Sequence, residues 1–97
     1  MNTELIISDS AKDDIEDARA WYESRQSGLG MDFLISISDT LEKIEDKPEQ
    51  YALRFGKVRA ALIGRFPYLI YYRYGKPRAL IIAVGHTSQN PNIWQKR

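Results

Sequence analysis

Two apolar runs in the second half of the chain, joined by a three-residue break, constrain its fold more than any other feature. The first is Tyr68-Leu69-Ile70-Tyr71-Tyr72 and the second Leu80-Ile81-Ile82-Ala83-Val84, with Gly75-Lys76-Pro77 between them. Both are rich in β-branched and aromatic residues, too short for ordinary helices, and bounded by Pro or Gly. They predict a β-hairpin. The second arm is apolar at successive positions, as expected of a strand buried on both faces. It is therefore a central strand, which the rest of the chain must pair with or cover. Along the first arm Tyr68, Ile70, Tyr72 and Tyr74 share one face, and Leu69, Tyr71 and Arg73 the other. His86 falls in phase with Leu80, Ile82 and Val84.

The preceding chain supplies the cover. Leu5, Ile6 and Ile7 form a short apolar strand. Ala11, Ile15, Ala18 and Tyr22 then recur at helical spacing, predicting a helix from about Ser10 to Arg25. Ser8 or Ser10 can cap it, and Ser10 with Asp13 resembles a capping box. Trp21 borders the stripe and is expected in the core of a helical hairpin. Gly28 and Gly30 allow a tight reversal. Phe33, Leu34, Ile37, Leu41 and Ile44 define a second helix, ended near Lys47 by Pro48. Residues 48 to 56 read as irregular. Lys57 to Ile63 alternates as a strand, with Val58, Ala60 and Leu62 on one face. Pro67 heads the next strand, and Trp94 is expected to anchor the tail.

The order is β-α-α-β-β-β, an α+β two-layer fold with a helical hairpin packed on an antiparallel sheet. The other sheet face is expected to be more polar. A chain of 97 residues fits one domain, 1–97. No cysteine is present, which excludes disulfide and thiolate chemistry and suits a reducing compartment. No run is long enough to span a membrane, and no basic-then-apolar leader opens the chain. The expectation is a soluble, cytoplasmic protein without a membrane partner.

The net charge of +1 conceals a polar distribution. All 13 acidic residues lie between Glu4 and Glu49, leaving residues 1–49 at −8 and the remainder at +9. Such a split points to a polyanion or an acidic partner at the C-terminal half. The competing reading is that the halves neutralise each other across the fold. A metal site is not expected, with one His, no Cys and no carboxylate nearby in sequence. No cofactor is implied either.

Taken together, Arg59, Arg65-Phe66-Pro67-Tyr68-Leu69-Ile70-Tyr71-Tyr72, Ala83-Val84-Gly85-His86, then Pro91, Trp94 and Arg97 resemble the ParE/RelE toxin superfamily, most closely its ParE-like branch. Ala11, Ile15, Trp21-Tyr22, Gly28-Leu29-Gly30 and Phe33 match as well, so the resemblance covers nearly the whole chain. It implies the toxin of a type II toxin–antitoxin pair, neutralised by a cognate antitoxin that also represses their operon. Operator DNA is then a partner only through the antitoxin. ParE-type toxins inhibit DNA gyrase; RelE-type toxins cut mRNA on the ribosome.

The first implication is binding without catalysis, with Arg59, Arg65, Arg73, Lys96 and Arg97 as electrostatic docking residues. The alternative is a metal-free endoribonuclease, with Arg59 and Arg65 clamping phosphate and His86 as acid or base. That chemistry needs a base for the 2′-hydroxyl, charge stabilisation and a proton for the leaving oxygen. No acidic residue follows Glu49, Thr87 stands where an interferase of the His-Tyr kind has Tyr, and the tail lacks Tyr. A charge clamp is present; an acid–base pair is not evident.

Overall fold

The computed structural model describes residues 3–94 and 97. Its elements are β1 (Glu4–Ile7), α1 (Asp9–Arg25), α2 (Leu29–Asp46), β2 (Leu53–Phe55), β3 (Val58–Leu62), β4 (Tyr68–Gly75), β5 (Arg78–His86) and a 3-10 turn, Pro91–Trp94. The five strands form one sheet in the order β1-β5-β4-β3-β2. The helical hairpin and the β3-β4-β5 meander stand as expected. Two features differ. β1 joins β5 in parallel, Glu4 opposite Arg78 through Ile7 opposite Ile81, so the sheet is mixed. Within residues 48 to 56, read as irregular, Leu53–Phe55 adds a short edge strand against β3.

Local chemistry explains the hairpin of helices. Ser8, not Ser10, caps α1: its hydroxyl accepts from the Ala11 N–H at 3.1 Å. Gly28 turns the chain at φ 90°, a conformation that favours glycine. The Glu23 carboxylate of α1 then accepts from the N–H groups of Gly28 and Gly30, at 3.1 and 3.0 Å. One helix thus caps the next, and these two bonds hold the Glu23 carboxyl below its usual pKa.

The stripe Ala11, Ile15, Ala18 and Tyr22 faces the sheet. Tyr22 sits 5.4 Å from Phe33 and 4.8 Å from Phe66 between ring centroids, joining both helices to the β3–β4 turn. Trp21 points outward, half exposed, with the Arg25 guanidinium 4.5 Å over its ring. Of two adjacent aromatics only one can face inward on a helix, and Tyr22 holds that position.

The sheet face away from the helices is apolar, not polar as expected. Val58, Leu69, Tyr71, Ile82 and Ala83 form a second buried cluster beneath Trp94. A β-bulge makes this possible. Tyr71 lies opposite Ala83 and Tyr72 opposite Ile81, leaving Ile82 as the extra residue. Alternation restarts at the bulge. Val84 joins the helix-side cluster, while Ile82 belongs to the other face. His86 is therefore in phase with Val84 but not with Leu80 and Ile82.

Candidate functional site

β5 is longer than the strand beside it. β1 flanks residues 78 to 81 only, and on that side no described strand flanks 82 to 86, which β4 borders on the other. The Thr87 N–H donates to the Pro67 carbonyl, which fixes the phase of the β4–β5 ladder. Val84 and His86 then occupy its non-hydrogen-bonded pairs, with their backbone groups directed away from β4. Three side chains meet this edge, Asp14 from α1 and Gln89 and Arg97 from the chain that follows β5. The Ile82 carbonyl accepts from the Arg97 guanidinium at 3.2 Å. The Val84 N–H donates to the Asp14 carboxylate at 3.0 Å. The His86 N–H donates to the Gln89 side-chain oxygen at 2.8 Å. Asp14 and Arg97 also pair with each other at 2.6 Å.

A cleft of about 560 Å³ lies along this edge. The flank of α1 forms one wall through Asp14, Asp17 and Trp21; Ile93, Trp94 and Arg97 form the other. Trp94 is fixed by Tyr71, 4.7 Å away between centroids, and by Gly85, where any Cβ would lie 2.0 Å from its ring. Tyr68 and His86 line the floor, their rings 5.4 Å apart and nearly perpendicular. The His86 Nδ1 accepts from the Ser88 N–H at 3.0 Å, so that nitrogen is engaged within the strand-end turn.

The sequence-derived cations do not converge. The Arg59 guanidinium, on the helix side of β3, donates to the carbonyls of Tyr51 at 2.6 Å and Glu49 at 3.3 Å, pinning the connection after α2. Arg73 lies on the opposite face and donates to the Arg97 carbonyl at 3.2 Å. Arg65 stands at the far end of the β3–β4 hairpin, exposed, with a 3.6 Å contact to Asp32 and its guanidinium 5.9 Å from the Phe66 ring centroid. Its φ of 71° is left-handed, uncommon for a side chain of this size. Arg97 is bound to Asp14, and Lys96 lies outside the described residues. Arg59 pairs with Tyr72 and His86 with Tyr68 along β4, four residues apart, or about 13 Å. The sheet thus does not bring Arg59 and His86 together.

Both readings of the charge split find expression. Arg78–Glu4, Arg65–Asp32 and Arg97–Asp14 each join the basic portion to the acidic one. Arg54, Lys57 and Lys76 remain exposed. Among the described residues no group of three or more His, Cys, Asp or Glu is placed to hold a metal ion. Nor is any described helix long and apolar enough to cross a membrane.

A helical hairpin laid on a mixed sheet in this strand order defines a small two-layer α+β protein. Residues 5–91 match the family of the ParE toxin of the type II toxin-antitoxin system, parDE, and the chain belongs to that family. Its fold is similar to a chain in the solved structure of the chromosomal ParDE TA system from P. aeruginosa. The two share 18% identity with a TM-score of 0.64, over 88% of this chain and 96% of that one. No curated protein matches. The site residues singled out from sequence did not include Asp14 and Gln89. Their roles arise from contacts with β5, which no local motif signals.

Proposed function

We propose that this ParE-family toxin arrests growth by binding DNA gyrase rather than by cutting RNA, and that a cognate antitoxin neutralises it in the cytoplasm. The observation that carries the choice of binding over catalysis is the dispersal of Arg59, Arg65 and His86. Arg59 is spent on loop carbonyls, and the His86 Nδ1 on a turn N–H. Of the described cations singled out from sequence, Arg65, exposed and loosely paired, is the one freest to dock on a target carboxylate. Arg73 supplies a second positive contact on the other sheet face. The P. aeruginosa relative is a ParDE system, which supports a protein antitoxin as the neutralising partner.

Induced expression from a tight promoter tests this reading. Plasmid supercoiling should relax and DNA-damage signalling rise while bulk transcripts stay intact. His86→Ala should remain toxic, and Arg65→Ala should lose much of its effect. Rapid transcript cleavage with unchanged supercoiling would reverse the assignment in favour of a ribosome-dependent endoribonuclease.

A further inference from the structure

The β2–β3 and β4–β5 turns lie at one end of the sheet, since Val58 stands opposite Arg73 and Gly75 opposite Arg78. Five cations cross that end: Arg54 on β2, Lys57 in the first turn, Arg73 on β4, Lys76 in the second turn and Arg78 on β5. From β2 to β5 is three strand spacings, or about 14 Å. The row is turned away from the helices. Arg73 lies opposite Val58, and Arg78 shares a face with Leu80; Val58 and Leu80 both belong with the residues under Trp94. Arg54 is close enough to Tyr71 of the same cluster for its charge to oppose the rise that burial gives the Tyr71 hydroxyl. Among the described residues no carboxylate side chain pairs with Arg54, Lys57 or Lys76, and of the row only Arg78 has one, Glu4 at 3.1 Å. Every other acidic residue belongs to α1, α2 or, as Glu49, to the connection after α2.

What the row lacks selects its occupant. A stable protein interface centres on apolar anchors buried in pockets and ringed by polar groups. Here Phe55 is already packed on the cluster under Trp94, the exposed Leu53 lies opposite Arg59 on the helix side, and Ile6 lies beyond the row on β1. A phosphate backbone needs no such anchor, only cations at intervals. Duplex DNA carries one charge per ~1.7 Å of axis, so a row of about 14 Å faces about eight phosphate charges. We propose that this end of the sheet docks on the phosphate backbone of duplex DNA without reading its sequence. The inference goes beyond the gyrase reading and does not rest on it, because the contact is between this chain and DNA alone. Arg54, Lys57 and Lys76 make the contacts. Arg73, held to the Arg97 carbonyl, and Arg78, paired with Glu4, strengthen the field behind them. The whole chain carries only +1, so its attraction to a polyanion depends on where these charges sit.

The test uses the full chain made by cell-free synthesis, so that no antitoxin contributes to binding. It is titrated against a fluorescein-labelled duplex of about 20 bp and read by anisotropy between about 25 and 200 mM KCl. Two duplexes of unrelated sequence should bind equally. The plot of log K against log[KCl] should slope at about −3, from three free cations at about 0.9 each. Arg54→Gln, Lys57→Gln and Lys76→Gln combined should weaken binding at least tenfold, and Lys57→Gln alone should reduce the slope by about one. Lys12→Gln, Arg25→Gln and Lys43→Gln combined, an equal change of net charge on the helices, should weaken it less than threefold. All six side chains are exposed, and far-UV circular dichroism should match the parent chain in both triple variants. No binding at the lowest salt, a slope near zero or equal losses in the two triple variants overturns the proposal. Tighter binding to a poly-glutamate peptide of matched charge than to the duplex assigns the row to an acidic protein segment and overturns it as well. None of these outcomes bears on the gyrase reading, which is scored by supercoiling.

Discussion

Gly85→Ala is a severe test of how the tail is held. The added Cβ would lie 2.0 Å from Cη2 and 2.3 Å from Cζ2 of Trp94, against an ordinary carbon–carbon contact of about 3.5 Å. The ring must retreat by about 1.5 Å, but it is 3% exposed and already stacked on Tyr71. It therefore leaves its site. A tryptophan buries roughly 150–250 Å², so at about 25 cal/mol per Å² the loss is about 4–6 kcal/mol. That is an upper figure, because the displaced ring re-buries part of its surface. Measured losses for removing a buried Trp, about 3–5 kcal/mol, give the same scale. Alanine in a strand recovers about 0.5–1 kcal/mol of backbone entropy. The net is about 2–4 kcal/mol, or a fall in Tm of at least about 8 °C for a domain this size. In a Trp21→Phe background Trp94 is the sole indole, and its emission should shift to the red. In a Trp94→Ala background Gly85→Ala should cost little, since the clash is gone. Equal costs in the two backgrounds, or unchanged emission, would refute the reasoning.

Further outcomes follow from the buried and bonded groups. Tyr72→Phe removes the hydroxyl that donates to the Pro48 carbonyl at 2.5 Å and should cost about 1–2 kcal/mol in denaturant unfolding. Burial, opposed by Arg59 and aided by Tyr51, pushes the Tyr72 hydroxyl up to about 12. The folded chain thus keeps a proton that the unfolded chain releases near 10. Stability falls as pH rises through that window, and melts at pH 9 and 11.5 should show a shallower fall in the variant. Glu23 has the opposite sign. Its lowered carboxyl pKa contributes stability above the unfolded value near 4.5, lost as pH falls through the folded one, so Glu23→Gln should flatten the Tm profile between pH 6 and 3. Arg59→Ala should lower Tm because two loop carbonyls lose their donor, whereas Arg65→Ala should leave Tm unchanged and reduce growth inhibition.

The hairpin, the two helices and the anchoring Trp94 were legible because each is written locally, in strand-forming runs, a helical stripe and a lone large aromatic near the tail. What the sequence hid was relational. Leu53–Phe55 is three residues, too few to alternate, and becomes a strand only because β3 offers an edge. The bulge at Ile82 is silent in a run that is apolar at every position. Tyr22 lay on the stripe read from sequence, but Trp21 beside it, expected in the core, is half exposed because the stripe alone faces the sheet. The cleft was least legible. Asp14 and Gln89 read as one charge among many on an acidic helix and a polar residue in a loop, and Asp14 meets β5 across 70 residues of chain. Arg59 was singled out from sequence as a docking residue, whereas the partners it has within the chain are carbonyls of the adjoining loop.

The parallel seam between β1 and β5 sets the timing of assembly. Glu4 to Ile7 find their only described strand neighbour at Arg78 to Ile81, so the first strand synthesised waits for the last. During translation the helical hairpin can form early from local contacts, yet the sheet beneath it stays unfinished until β5 emerges. A ribosome-tethered intermediate would therefore be harmless. Activity would begin only at release, when the closing strand slots between its two neighbours.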